Sequence, residues 1–193
     1  MEKRHAKERN NTKLVQHIYS RSLLTRKITL PFNVVGKNLQ EVFNAYINEH
    51  FDGKCQAEGF IKRDSCKMVR YSSGLIVGGH SVMFEILFEC EICYPIAGMI
   101  LECIVKNVVK SGIKAEIANE VPSPILAFVA KEHHYDNAHF NSIQPGYIIH
   151  VRVIGSRFEL NDKFISVIGE LVILRDTNTK KDIPKDMQKM IIK

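Results

Sequence analysis

Cysteines and histidines are the residues of this chain whose spacing could support metal binding or nucleophilic catalysis. Two of the five cysteines form the motif Cys90-x-x-Cys93, a spacing typical of zinc ligands. A structural zinc site needs a second ligand pair at a suitable distance along the chain, and none follows. Cys90 also continues an alternating apolar pattern, formed by Val82, Phe84, Ile86, Phe88 and Ile92. We therefore interpret both cysteines as thiols of a half-buried strand.

A second group of potential ligands lies between two predicted strands and consists of Glu132, His133, His134, Asp136 and His139. His134 and His139 are five residues apart, so on a helix they would not face one way as an i, i+4 pair does. The chain contains no Gly-rich phosphate loop, nucleophile elbow or paired-carboxylate motif. We expect no catalytic residue, no cofactor and no metal. A small hydrolase that uses Cys and His stays open as an alternative function class. Thiol alkylation would abolish the turnover of such an enzyme.

The composition is that of a globular protein expected inside the cell. The 193 residues are 45% hydrophobic and 25% charged. The longest uncharged run in the middle of the chain, Tyr71 to Phe84, is shorter than the ~18 apolar residues that a bilayer requires. The first residues lack an apolar signal segment, and an odd number of cysteines is typical of free thiols. We therefore predict a reducing compartment and no membrane association.

The positive charge is concentrated at the N-terminus. Residues 1–27 contain eight Lys or Arg against Glu2 and Glu8, an excess of six that equals the net charge of the whole chain. Residues 98–175 contain eight basic and eight acidic side chains. We interpret residues 1–18 as a basic arm, for which a solvated tail is the simpler explanation than specific nucleic-acid binding.

The pattern up to Pro95 predicts a small α+β unit. A strand ends at Pro31, because proline cannot donate to a ladder. Gly53 is a suitable end for the helix that follows, and Gly59 marks a bend between short strands. A long alternating strand then ends at Pro95, so we predict one domain over residues 19–97. The helix is indicated by apolar residues on one face: Leu39, Val42, Phe43, Tyr46 and Ile47.

Residues 98–175 predict an all-β five-stranded OB barrel. Five strand-like runs are separated by turn signals, with one longer connection between the third and the fourth run. The polar residues 176–193 form a C-terminal tail. Glycines at positions 98 and 112 stand where S1-type OB domains open the first strand and follow the first turn. The last hairpin contains a further ordered motif: Arg152, Gly155, Arg157, Asp162 and Ile168-Gly169.

This hairpin resembles the closing strands of the stalk subunit of multisubunit RNA polymerases, the family of the seventh subunit of RNA polymerase II and its archaeal counterpart. The N-terminal half resembles the same family in its Gly-x-Asn-Leu helix start, its Gly-x-Cys loop and its Gly-Phe strand entry. In this chain these motifs are Gly36-Lys37-Asn38-Leu39, Gly53-Lys54-Cys55 and Gly59-Phe60. The likeness extends from about Tyr19 to Leu171, and the chain is identified as a homologue of the stalk subunit.

The resemblance implies a two-domain rod and no catalysis by this chain. An RNP-like N-terminal domain would dock on the polymerase core, and the S1-like barrel would project toward the RNA exit and act in initiation and nascent-RNA guidance. The implied partners are the large and small polymerase subunits, nascent RNA and a second stalk subunit, for which the strand Val82 to Cys93 is a candidate surface. The implied core-docking residues are Gly53, Lys54, Cys55, Gly59 and Phe60.

RNA binding by this barrel is expected to be weak and electrostatic. Base-stacking S1 domains present aromatic residues just after the second-strand glycine, where this chain has Ile113 and Lys114, and stacking contributes ~1–3 kcal/mol per base. Phe128 or Tyr147 are candidate stacking platforms. The alternative is a neutral barrel with solvated lysines. The candidate phosphate contacts are Lys106, Lys110, Lys114, Arg152, Arg157 and Lys163.

Three further hypotheses concern the source, the location and an alternative function of the protein. The terminal extensions and the Lys-, Ile- and Asn-rich composition point to the polymerase of a large DNA virus. The location would be the site of transcription, which is the nucleus, or the cytoplasm or virion for a viral enzyme. The alternative function is a free-standing S1-domain RNA-binding adaptor in translation or RNA decay, which predicts RNA affinity with a steep salt dependence.

Overall fold

A computed structural model describes residues 17–36, 38–134 and 138–173 of the chain. The predicted basic arm lies outside these residues except for its last two positions, and the predicted tail lies wholly outside them. The described part consists of a sheet with one long helix, followed by a closed barrel. The segment 94–99 connects the two.

The first sheet is built around one long central strand. The elements are β1 (Tyr19–Pro31), α1 (Leu39–His50), β2 (Cys55–Gln56), β3 (Gly59–Ile61), β4 (Lys67–Tyr71), β5 (Leu75–Val77) and β6 (Ser81–Cys93). β1 pairs antiparallel with β6 over its full length. β3, β4 and β5 follow one another along the opposite edge of β6. The loop before β3 and the strand β5 therefore lie at opposite ends of β6.

The helix α1 covers one face of this sheet, as its apolar pattern predicts. Phe43 and Ile47 are fully buried, and the ring of Phe43 packs on those of Tyr71 and Phe84. The predicted alternation of β6 is confirmed, since every even-numbered residue from Val82 to Ile92 is buried. These observations do not establish an RNP-like fold, which stays a prediction. Within the described residues no helix is both long and apolar enough to cross a membrane.

The predicted five-stranded barrel is confirmed and is closed. Its strands are β7 (Ile100–Val109), β8 (Gly112–Ile117), β9 (Ile125–Ala130), β10 (Ile148–Arg157) and β11 (Ile165–Val172). The order around the barrel is β7-β8-β9-β11-β10, with β9 and β11 parallel and the other pairs antiparallel. The short helix α2 (Ala138–Asn141) lies in the connection between β9 and β10. This arrangement is consistent with an OB fold.

Local irregularities let these strands curve into a barrel. The ladder of β7 and β8 shifts register between Val105 and Asn107, and that of β10 and β11 shifts between Val153 and Gly155. Bulges of this kind increase the bend and twist of a strand. The interior is filled by alternate apolar side chains, among which Leu101, Ile113 and Ile165 are fully buried. The outward-facing residues are therefore the ones available to bind a ligand.

Candidate docking and nucleic-acid surfaces

The predicted core-docking loop lies between the sheet and the barrel. Cys55 and Phe60 are buried and pack in the same hydrophobic cluster as the barrel interior. Gly53 and Gly59 are buried as well. Lys54 is partly exposed, and its Nζ donates a hydrogen bond to the carbonyl of Glu49 at 2.6 Å. Four of the five predicted docking residues therefore face the interior of this chain.

Backbone hydrogen bonds attach this loop to the β10–β11 turn. The N–H of Cys55 donates to the carbonyl of Asp162 at 2.8 Å, and the N–H of Asn161 donates to the carbonyl of Cys55 at 2.8 Å. The exposed part of the loop is Ala57 and Glu58, and Glu58 forms an ion pair with Arg26 at 2.5 Å. Docking through this loop stays a prediction. Its accessible portion is Ala57 and Glu58, together with the partly exposed Lys54.

An exposed apolar group lies at the other end of the sheet, far from the barrel along β6. The consecutive β5 residues Leu75, Ile76 and Val77 are 59%, 68% and 41% exposed. Phe32 and Val34, in the short 3-10 turn after β1, are 43% and 38% exposed. We call these five residues the distal apolar surface. The sequence offered a signal for it, since three consecutive apolar residues between Gly74 and Gly78 do not follow the alternation of a strand with one buried face.

The sheet face opposite α1 is a third candidate surface. No described helix covers it, and it presents Leu23, which is 61% exposed, near the partly buried Leu87. The partly buried Met83 lies farther along the same face, opposite Thr29. An open groove on this side is lined by residues of β1, β4 and β6, among them Thr25, Arg70 and Leu87. This face contains the part of β6 that was predicted to contact a second stalk subunit.

The six predicted RNA-binding cations are all exposed, and three of them form ion pairs. Lys106 pairs with Glu116 at 3.2 Å, Arg152 with Glu170 at 2.6 Å, and Arg157 with Glu159 at 3.2 Å. Within the described part of the chain, Lys110, Lys114 and Lys163 form no ion pair. No carboxylate of the described residues competes for these three lysines.

The barrel brings one predicted cation next to one predicted stacking platform. Asn107, Lys114, Phe128 and Ile168 are opposite one another across four adjacent strands. Because Ile113 and Ala115 are fully buried, Lys114 points outward beside the partly exposed ring of Phe128. The face formed by the second and third strands is where OB barrels bind oligonucleotides. Lys106 borders this face as the bulged residue of β7. Arg152 lies on β10, which is separated from the β8 strand of Lys114 by β7 on one side of the barrel and by β9 and β11 on the other.

The motif Cys90-x-x-Cys93 does not form a metal site in this structure. The two cysteines belong to different hydrophobic clusters, Cys90 to that of the sheet and α1 and Cys93 to that of the barrel. Burial raises the pKa of Cys93 to about 12. Among the described residues no group of three or more His, Cys, Asp or Glu side chains is placed to hold a metal ion.

His134 has a structural role at one end of the barrel. Its Nδ1 lies 2.9 Å from the carbonyl of Ala130, and its Nε2 accepts a hydrogen bond from the N–H of Leu171 at 3.0 Å. A ring that carries a proton on Nδ1 and none on Nε2 satisfies both contacts. The ring also stacks on Phe140, with centroids 5.0 Å apart. His134 thus connects β9 to β11, while Asp136 and the side chain of His139 lie outside the described residues.

Replacing His134 by Ala is expected to destabilise the barrel by about 2–3 kcal/mol, because the N–H of Leu171 loses its acceptor and Phe140 loses its stacking partner. Urea denaturation followed by circular dichroism measures this change in the free energy of unfolding. His133→Ala is the matched control, because His133 is exposed and its loss should change stability by less than about 0.5 kcal/mol. Equal effects of the two substitutions would contradict the assignment.

The fold and its outward-facing residues define a class: a protein that joins a helix-covered sheet to an OB-like barrel, with candidate surfaces for protein and nucleic-acid partners. No protein-family model matches the chain. The chain is similar to a protein of Acanthamoeba polyphaga mimivirus that bears the name "Putative DNA-directed RNA polymerase subunit". The two are 24% identical over 183 residues, which cover 89% of this chain and 90% of the mimivirus protein. A match of this extent includes most of the sheet and most of the barrel.

Proposed function

We propose that this chain is a non-catalytic subunit of a DNA-directed RNA polymerase and, more specifically, its stalk subunit. The observation that carries the proposal is the similarity to the mimivirus protein, which extends over 89% of this chain. A shared OB domain alone would produce a match to the barrel only. The described surfaces favour a binding role as well, since they consist of exposed apolar residues and exposed lysines rather than a group of catalytic side chains. The chain would act where its polymerase transcribes.

The candidate surfaces of the sheet and the barrel suggest different binding partners. The distal apolar surface is the part that we assign to the polymerase core, because it is apolar and lies at the end of β6 away from the barrel. The open sheet face with Leu23 is the part that we assign to a second stalk subunit. The residues 19–97 and 98–175 would then be a docking domain and an RNA-guiding domain.

Affinity purification of the tagged chain from cells that express it tests the proposal. Co-purifying chains are identified and quantified by mass spectrometry. Stoichiometric recovery of two very large polymerase subunits is the expected result. Recovery of ribosomal or nuclease components without polymerase subunits would contradict it and would favour the alternative, a free-standing RNA-binding adaptor.

Weak electrostatic RNA binding is the second part of the proposal. The double substitution Lys110→Glu and Lys114→Glu is expected to weaken binding of a single-stranded RNA by ~10-fold or more at low salt, and to reduce the salt slope by about one for each lost phosphate contact. Fluorescence anisotropy at several salt concentrations measures both quantities. Lys67→Glu is the control, because Lys67 is an exposed lysine of the sheet, away from the barrel. A wild-type affinity that does not change with salt would refute RNA binding of this kind.

A further inference from the structure

Two cysteines from different parts of the sequence face each other on the helix-covered side of the sheet. In the β4–β6 ladder Lys67 is opposite Glu89 and Met68 is opposite Phe88, so the next pair outward is Cys66 and Cys90. Both cysteines contribute to the hydrophobic cluster beneath α1, which places their side chains on the same face. Cys90 therefore faces Cys66, and not the Cys93 of its sequence motif.

The backbone at this position suits a disulfide. Lys62 donates its N–H to the carbonyl of Glu91 at 2.9 Å, and Glu91 donates its own N–H to Oγ of Ser65 at 3.2 Å. The backbone N–H and C=O of Glu91 thus point toward the edge of β6 that pairs with β3 and β4. Because these groups alternate along a strand, the backbone N–H and C=O of Cys90 point toward β1. Cys66 and Cys90 consequently stand in the register of a non-hydrogen-bonded pair, and in antiparallel ladders the Cα atoms of such pairs are about 4.5 Å apart. Disulfides span Cα separations of about 4.4–6.8 Å.

The environment of the pair favours reaction. A hydrogen bond with Cys66 lowers the pKa of Cys90 below its ordinary value, in spite of burial, and the same interaction raises the pKa of Cys66. The thiolate is the reactive form of a cysteine. Cys66 is partly exposed, so solvent reaches the pair on its Cys66 side.

We propose that Cys66 and Cys90 are a redox-sensitive pair that forms a reversible intrachain disulfide when the protein meets a peroxide. The Cys90 sulfur attacks one peroxide oxygen, the O–O bond breaks, and a sulfenic acid and one water result. The Cys66 sulfur then attacks the Cys90 sulfur, and the sulfenic hydroxyl leaves with the Cys66 proton as a second water. Two thiols and one hydrogen peroxide thus give one disulfide and two waters, with two electrons transferred from sulfur to oxygen.

The disulfide would attach β4 to β6 beneath α1 and close the intervening chain into a loop. Closing a loop of this size restricts the unfolded chain, so the Tm of the oxidised protein is expected to rise by roughly 5–10 °C. The proposal is independent of any role in transcription, because it depends only on the two thiols and their surroundings.

Peroxide titration of the full chain tests the proposal. The reduced protein is treated with an equimolar amount of hydrogen peroxide, its thiols are counted in denaturant, and its peptides from digestion with trypsin and Glu-C, which cuts between Cys90 and Cys93 at Glu91, are mapped without reductant. Two of the five thiols should be lost, one linked peptide pair should contain Cys66 and Cys90, and dithiothreitol should reverse both changes. The Tm should rise on oxidation and return on reduction.

Two variants identify the residues involved. Cys66→Ser should abolish the linked peptide and the rise in Tm, and a circular dichroism spectrum confirms that this partly exposed position tolerates the change. Cys103→Ala, inside the barrel, should leave the crosslink intact. Linkage of another pair, oxidation of either cysteine to a sulfinic acid without crosslinking, or retention of all five thiols in peroxide excess would each overturn the proposal.

Discussion

Replacing Gly59 by Ala is expected to destabilise the protein by about 3 kcal/mol or more, from two additive causes. The backbone of Gly59 has a φ of +131°, a conformation that L-residues rarely adopt. A Cβ at this position would lie 2.4 Å from the carbonyl oxygen of Cys93, an atom of the β6 backbone that cannot move without disturbing the ladder. Urea denaturation at constant pH measures the loss.

Gly79→Ala is the matched control for Gly59→Ala. Gly79 also has a positive φ, of +78°, but a Cβ there would meet no atom within 4 Å. This substitution should therefore lower the free energy of unfolding by only about 1 kcal/mol, which is the cost of placing an L-residue at a positive φ. If the two variants lost equal stability, the close approach of Gly59 to β6 would be refuted.

The expected effect of Gly59→Ala changes how docking can be tested. From the sequence alone, a change at Gly59 should loosen attachment to the polymerase and leave the barrel folded. In the structure, Gly59 lies against Cys93, which packs in the barrel cluster, so the substitution disturbs the junction of sheet and barrel. A pull-down with this variant would not separate lost docking from lost folding. Exposed residues are the suitable test positions.

Periodicity predicted the fold because each element buries one face. The alternation through Phe84 and Phe88 defined β6, and the 3.6-residue spacing through Phe43 and Ile47 defined α1. Five strand-like runs with turn signals between them likewise predicted the barrel. Each signal is local, since a strand or helix repeats its pattern within a few residues.

The environment of the docking loop could not be predicted in the same way. The burial of Cys55 results from hydrogen bonds with Asn161 and Asp162, more than a hundred positions later in the chain. No pattern within residues 53–60 records that contact. Cys66 and Cys90 similarly face each other because of the register between β4 and β6. The bulge at Val69 and the loop before β4 make this register hard to derive from the sequence. Long-range register is the information that the structure adds.

Ile76→Asp is expected to reduce association with the polymerase core by at least ~10-fold, with the fold intact. Burying an Ile side chain in an interface contributes roughly 1.5–3 kcal/mol, and burying an unpaired carboxylate there opposes binding further. Ile76 is 68% exposed in the isolated chain, so the substitution should leave the free energy of unfolding nearly unchanged. The measurement is the recovery of large polymerase subunits with the tagged variant, relative to wild type.

Val121→Asp provides the matched control, since Val121 is 98% exposed on the barrel and undergoes the same change of an aliphatic residue to a carboxylate. It should retain wild-type recovery of polymerase subunits. A variant that combines Leu75→Asp with Ile76→Asp should lose recovery more completely, because both side chains belong to the distal apolar surface. If Ile76→Asp and Val121→Asp recovered equal amounts of polymerase, the distal apolar surface would not contact the polymerase core. Docking would then have to use the Ala57–Glu58 tip or the open sheet face, where Glu58→Lys and Leu23→Asp are the corresponding tests.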